Sequence, residues 1–493
     1  MERMINKNTV ISIIACCVVI NGCTKLDLSR LDTQSVGTYY KTASDANAAT
    51  IAMYGQLRSM YRDEVFVTPN SVATDEGVPF LTGNADRVAL WNYNIISTNS
   101  FTGSIWGASY TGIQRSNIVL AHIPGITMDE TLKKQYLGEA LFLRALHYFN
   151  LVRFYGGVPI VENEVTDLTN INVARGTVDD VYELIISDLT TAAGYLPVSY
   201  TGEDVGRATK GASLGLLSKV FLTRAGTDQS SEYWQQAATY AKQVMDMGVY
   251  GLWDDYAAVY ALANRGGKES LFEAEYITDL DGNNFTTGYA PRGAPIVPGT
   301  GSGIFRVTSG LFNLFQDADK RKAVTFLTSY VNPTSGATVQ LSTDNTDPAY
   351  AVSFWKLADL TSTVGGMGGT SFPILRYSDI LLIYAEALNE VNNGPSTEAL
   401  QAVNQVRERA GLSDLATMSK QAFKDSVLLE RRKEFCFEAN RWFDLVRTGT
   451  LVDAVQQENS FSRNAAIQDF NKLFPIPQTE MDINPALVQN DGY

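Results

Sequence analysis

The sequence predicts a mostly α-helical protein, with tetratricopeptide-like helix pairs set beside a large, irregular, loop-rich portion. Three observations carry this prediction. Long segments repeat apolar residues at helical spacing. Alanines recur at matching places in several of them: Ala237, Ala238 and Ala241; Ala385 and Ala387; Ala399 and Ala402. Close antiparallel helix pairs with alanine contacts are the mark of a repeat unit of about 34 residues. Thirdly, Thr278–Phe305 and residues 331–372 are rich in Gly, Pro, Asn, Ser and Thr, and Thr68–Ser104 has the same character. Irregular segments of this length in a compact protein usually carry function.

The chain opens on a targeting pattern. Arg3 and Lys7 precede the apolar run Val10–Ile20, which is too short to span a bilayer and the right length for a signal-peptide core. Ile20-Asn21-Gly22-Cys23 has the form of a bacterial lipoprotein cleavage site, so residues 1–22 are read as a signal peptide and Cys23 as the lipid attachment point. The formal charge is −14, and loss of Glu2, Arg3 and Lys7 makes it one unit more negative. Such a balance argues against nucleic acid as a partner, because phosphate binding needs clustered cations. Beyond the leader, Cys436 is the one cysteine left besides Cys23; without a partner it is expected to be a buried, small, apolar residue.

Helices are expected over Leu132–Tyr155, stopped by Gly156-Gly157-Val158-Pro159, and over Val178–Leu196, with Asp179 and Asp180 favourably placed in its first turn. Ala208–Ala225 and Glu232–Met247 follow as a pair, then Asp379–Val391, Thr397–Ala410 and Lys420–Asn440, with Asn440 a candidate for a left-handed end. The organisation is thus 1–22 leader, 23–250 N-terminal region and 251–493 C-terminal region, the last two forming one compact unit. Residues Glu430–Arg447 are the most distinctive stretch: half of these 18 positions are charged, in a chain that is 19% charged. On a continuous helix Leu428, Arg432, Phe435, Ala439, Trp442 and Val446 share one stripe. A core-facing arginine must find carboxylates there, because an unpaired buried charge is costly. Glu430, Glu434, Glu438, Asp444 and Asp379 are the candidate partners. Arg432 and Arg441 are expected to tie the last helices to the core through Asp379 or Glu434.

The search for chemistry returns little. His122 and His147 lie in helical patterns without metal-ligand spacing, so no metal and no cofactor is expected. There is no nucleophile elbow, phosphate loop or dinucleotide fingerprint, and Gly365–Gly369 reads as a flexible turn. No catalytic residue is assigned and the protein is not expected to be an enzyme; Asp75-Glu76 is not by itself the carboxyl pair a glycosidase needs. Aromatic rings in loops are the better lead, since they stack on the apolar faces of sugars while Asn, Asp and Arg bind hydroxyls. Trp106, Trp234, Trp253 and Trp442 read as structural. The ligand-binding candidates are Asp75, Arg87, Trp91 and Tyr93 in the first irregular region, Tyr289 and Arg292 in the second, and Trp355 near the third, with Trp91 and Tyr289 ranked first.

Leu143-Arg144-Ala145-Leu146-His147-Tyr148-Phe149-Asn150-Leu151-Val152-Arg153-Phe154-Tyr155-Gly156-Gly157-Val158-Pro159 and Arg376-Tyr377-Ser378-Asp379-Ile380-Leu381-Leu382-Ile383-Tyr384-Ala385-Glu386-Ala387-Leu388-Asn389 are followed by Val403–Leu412, the Glu430–Arg447 stretch, Phe474-Pro475-Ile476-Pro477 and Gln489–Tyr493. In this order and over essentially the whole mature chain, these motifs resemble the SusD/RagB family of outer-membrane nutrient-binding lipoproteins of Bacteroidetes. The resemblance implies four tetratricopeptide-like helix pairs and a ligand site in the irregular remainder. It implies a lipid-anchored lipoprotein of the outer membrane, exposed at the cell surface, and a SusC-like TonB-dependent barrel as partner. It implies capture of oligosaccharides, or of peptides in the RagB branch, without cleavage; a scaffold that binds no ligand is the remaining alternative. Two positions depart from the family pattern: only one acidic residue follows Cys23 in Thr24-Lys25-Leu26-Asp27, and Ala439-Asn440 stands where many members have glycine.

Overall fold

Eight long helices, packed in succession, carry the architecture. A computed structural model describes residues 40–166, 172–458, 461 and 463–493; the leader and Cys23 lie outside them. Helix α1 (Ala43–Met60) begins at a capping box between Thr42 and Asp45. A shorter α2 (Ala85–Asn92) follows, then α3 (Ser100–His122), α4 (Glu130–Tyr155), α5 (Val178–Tyr195), α6 (Lys210–Ala225), α7 (Tyr233–Asp246), α8 (Tyr377–Val391) and α9 (Thr397–Arg409). Asp129, Thr177, Thr209 and Ser396 each accept a backbone N–H at the start of α4, α5, α6 and α9. Gly156 and Gly226 end α4 and α6 at φ 73° and 53°. Helix α1 packs on α3, α3 on α4, and so on through α9, and Thr42–Tyr493 is one compact unit. Among the described residues this makes four helix pairs, the mostly-α, tetratricopeptide-like arrangement expected.

The array is interrupted in sequence but not in space. Helix α7 packs directly on α8 although some 130 residues separate them. That insertion leaves and returns through one antiparallel ladder, β2 (Ser270–Ala274) with β8 (Phe372–Arg376), and β8 runs straight into α8. Its remaining strands are short: β3 (Phe305–Val307), β4 (Phe326–Leu327), β5 (Ser329–Val331), β6 (Thr338–Gln340) and β7 (Ser353–Phe354). Strand β3 pairs with β1 (Gly77–Pro79), Val78 opposite Arg306. The glycine run at 365–369 is a packing device rather than a flexible turn: Gly368 bridges to Asn283, and a Cβ on Gly369 would sit 2.2 Å from Thr278 Oγ1.

The Glu430–Arg447 stretch is not one helix. Helix α10 (Lys420–Glu434) stops, Phe437 and Ala439 take left-handed φ of 59° and 54°, and α11 (Arg441–Arg447) starts afresh before α12 (Leu451–Gln457). Asn440, expected to be left-handed, has φ −100°. The stripe through Arg432 and Trp442 is therefore broken, and the arginines find other partners. Arg441 grips both oxygens of Asp75 at 2.8 and 2.7 Å, and Arg432 reaches the same carboxylate at 2.9 Å. Asp379 instead pairs with Arg431 at 2.7 Å and Lys219 at 2.8 Å. Glu434 accepts from Arg376, Arg409 and Arg321 at 2.9, 2.6 and 3.1 Å. The sequence-based pairing of Arg432 and Arg441 with Asp379 or Glu434 is thus corrected, although a paired, buried charge network is present. Below it, Phe154 contacts Phe66, Phe443 and Phe474 at ring distances of 5.7, 5.0 and 5.1 Å, joining the first helices to the last.

Candidate functional site

The irregular segments meet around the β1–β3 pair, on an aromatic floor. Tyr289 lies within 5.9 Å of Phe285, 4.8 Å of Phe305 and 5.2 Å of Phe354, and Phe437 stacks from below, 4.4 Å from Phe354. Its ring is 1% exposed. Tyr289 therefore holds the loops together and offers no face to a ligand. Trp91 is corrected in the same way: it lies on α2, which starts at an Asn84 cap, and is buried beneath Arg463, whose guanidinium sits 3.9 Å over the indole and binds the Trp91 carbonyl. Tyr93 is the left-handed C-cap of α2; it stacks on Trp442 and donates its hydroxyl to the Ala73 carbonyl. Arg87 is also buried and reaches the Ile304 carbonyl, locking α2 to β3. These four side chains build the support of the loops and do not form the binding surface expected of them.

Of the other three candidates Arg292 is exposed, Trp355 is half-buried and Asp75 is buried. Asp75 lines a cleft of about 410 Å³ with Arg432, Arg441, Thr450 and Asp453. Burial pushes its carboxyl pKa up, but the Arg441 and Arg432 guanidiniums outweigh burial and hold it below the ordinary value. Its neighbour Glu76 is 1% exposed, does not line the cleft and accepts the Phe437 N–H at 3.2 Å. Burial, with Asp75 adding, pushes the Glu76 carboxyl up to about 8. Trp355 is half-buried, its backbone N–H donating to the Thr325 carbonyl.

Arg292 is exposed at the rim, and its guanidinium lies 4.3 Å over the ring of Phe80. Its backbone N–H donates to Pro348, which brings the 343–350 loop and the exposed Tyr350 to the same edge; Leu81, beside Phe80, is also exposed. A guanidinium flat on an aromatic ring keeps its in-plane donors pointed outward. Beside these donors, the exposed Leu81 and Tyr350 and the part of Phe80 left uncovered offer apolar contact, a combination suited to a sugar ring. The sequence reading missed Phe80; the signal was an apolar pair, Phe80-Leu81, just after Pro79 and before the turn at Gly83. Among the described residues no group of His, Cys, Asp and Glu is arranged to hold a metal ion. Cys436 is buried and its thiol is pushed up to about 12 by burial, so it is inert.

A helical-repeat scaffold with a loop-built, cation-edged aromatic shelf defines a binding protein. Two family models match: one described as "SusD family" over residues 322–493, the other as "Starch-binding associating with outer membrane" over 31–222. The chain belongs to the SusD family, whose members bind carbohydrate rather than act as enzymes. It is 26% identical to SusD-like protein P2 of Formosa agariphila, over 98% of this chain and 99% of the relative. A SusD homologue from Bacteroides thetaiotaomicron superposes with a TM-score of 0.82 at 26% identity, covering 93% of this chain and 98% of that one. A laminarin-binding SusD-like protein gives 0.79 at 26% identity, with 92% and 100% covered. No helix among the described residues is long and apolar enough to cross a membrane.

Proposed function

We propose that the protein is a lipid-anchored lipoprotein of the outer membrane, exposed at the cell surface, that captures oligosaccharides and delivers them to a SusC-like TonB-dependent transporter. The observation that carries the binding role is the Arg292–Phe80 shelf on the loop-built portion of a SusD-family fold. The lipoprotein pattern ending at Cys23, the family description naming the outer membrane and the laminarin-binding relative support the anchor, the location and the ligand class. A single sugar ring lying on the shelf gains apolar contact with Phe80 and charge-assisted hydrogen bonds from Arg292.

Isothermal titration against a panel of glycans, laminarin and starch among them, tests the reading. At least one glycan should bind, and Phe80→Ala or Arg292→Ala should weaken it by about tenfold, the worth of one aromatic or charge-assisted contact. Failure to bind any glycan together with tight binding of peptides would replace this reading with a RagB-like one. Copurification of a barrel with the anchored protein, lost when Cys23 is replaced, tests the partner and the anchor.

A further inference from the structure

A second cleft, of about 450 Å³, opens between α4, α5, the α6–α7 turn and α11, away from the irregular portion. Its volume lies within the range of small-molecule sites. Its walls are the rings of Tyr182, Tyr233 and Phe443 with aliphatic side chains between them. Its charges are unusual for a chain of net charge −14: Arg153, Arg224 and Lys472 face one lining carboxylate, Asp179, while Arg447 at the edge is neutralised by Glu386 and Asp444.

Arg153 is the central observation. Its guanidinium is sandwiched between Phe149 and Phe443, 3.8 and 3.7 Å from the two ring centroids. Nε donates to the Phe149 carbonyl at 3.0 Å and Nη2 to Asn150 Oδ1 at 2.7 Å. Among the described residues Nη1 has no hydrogen-bond partner and no carboxylate forms an ion pair with this side chain. Burial pulls it down to about 10, which still leaves it charged at neutral pH. Arg153 is half-buried, and Asp379 and Asp444 act on it only without direct contact, so a cation held by two rings keeps one donor for an anion that enters the cleft. At the mouth, Arg224 lies over Tyr182 and Tyr233 at 5.1 and 4.4 Å. Its ion pair with Asp179 is made to a carboxylate that is 77% exposed, so it is weakly held. Lys472 is exposed.

What sets this cleft apart is its charge: three cationic side chains against a single lining carboxylate favour an anion. We propose that this cleft binds a small carboxylic acid carried on an aromatic or branched apolar body. The carboxylate takes Nη1 of Arg153 and the Lys472 ammonium; the body lies among Tyr182, Tyr233 and Phe443. The site is independent of the Arg292–Phe80 shelf and stands or falls separately from glycan binding.

Calorimetric titration of the full mature chain with 3-phenylpropanoate and with its neutral amide, 3-phenylpropanamide, tests the proposal. The acid should bind saturably and about tenfold more tightly than the amide, the difference one charge-assisted hydrogen bond makes. Arg153→Met should remove most of the preference, leaving what Lys472 supplies. Because Arg153 is sandwiched in the core and its variant could fail to fold, Lys472→Gln and Tyr233→Ala, both at accessible positions, should each weaken the acid severalfold at unchanged melting temperature. Equal affinity for acid and amide, no saturable binding of either, or full affinity in both surface variants would overturn the proposal. A short peptide ending in phenylalanine that binds about tenfold better than the free acid would overturn the small-molecule assignment in favour of a protein C-terminus.

Discussion

Arg376→Met removes the hub of the buried network. Arg376 donates Nε to Glu438 at 2.8 Å, Nη1 to Glu269 at 2.8 Å and to Glu434 at 2.9 Å, and Nη2 again to Glu438 at 3.0 Å. Methionine fills most of the volume but leaves three carboxylates with Arg409, Arg321 and Lys356 as the remaining cations. Breaking a buried ion pair from one side costs about 3–5 kcal/mol. With an unfolding entropy of about 2.1 cal/mol/K per residue over the roughly 450 residues of the unit, each kcal/mol moves the melting temperature by about 1 °C, so a fall of about 3–5 °C is expected. The pH dependence sharpens the test. Burial alone would push Glu434 and Glu438 up, but Arg409, Arg376 and Arg321 around the first, and Arg376 and Lys356 around the second, outweigh it and hold both below the ordinary range. In the native protein their stabilisation is present above the unfolded carboxyl pKa and is lost as the pH falls through the folded values. In the variant these carboxyls rise, so the folded state takes up protons that the unfolded state does not, and the gap to the native protein narrows between neutral pH and about pH 5. Calorimetric melting at both pH values reads this. A deficit below about 1 °C at neutral pH, or a gap that widens on acidification, would refute the account. Glycan affinity per folded molecule should be unchanged, since none of these groups reaches the shelf.

Two further outcomes follow from the turn between α10 and α11 and the residue that holds it. Glu76→Gln should stabilise the protein increasingly as the pH rises from about 5 to 8, by about 1 kcal/mol or more at the upper end, and melting curves across that range check it. The folded carboxyl is raised, so its favourable contribution is present below the unfolded pKa and is lost as the pH approaches about 8; glutamine does not titrate. Ala439→Gly should stabilise by about 1 kcal/mol in denaturant titrations, because Ala439 sits at φ 54° and glycine pays no Cβ penalty there; a loss of stability would contradict it.

The helices were legible because periodicity and caps are local signals. Leu132–Tyr155 begins two residues earlier, at Glu130, and Val178–Leu196 ends one residue sooner. Helix α2 was not read, because eight residues show too little periodicity and the Asn84 cap lies in loop-like composition; that is why Trp91 and Tyr93 passed for loop aromatics. The break at Phe437 and Ala439 carries no composition signal, since neither residue type favours left-handed backbone; the Glu76 carboxylate that receives the Phe437 N–H lies 361 positions away. The same distance hid the true partner of Arg432 and Arg441, for Asp75 could be paired with them only by the fold. Periodicity reports which face of an element is covered. It says nothing of which ring among many, such as Tyr289 or Phe80, is left outside.

The closing motif of the chain has a consequence for the order of folding. Asn490 donates to the Tyr155 and Phe474 carbonyls, and Arg175 reaches the Asn490 side chain and the Val488 carbonyl, so the final residues fasten the turn after α4. Asp75 likewise waits for Arg432 and Arg441. Until Arg432 and Arg441 are made, Asp75 lacks the cations that hold it, and contacts of such sequence separation form slowly. The N-terminal helices thus lack these closing contacts while synthesis proceeds, and locking is deferred until the residues that carry them are made.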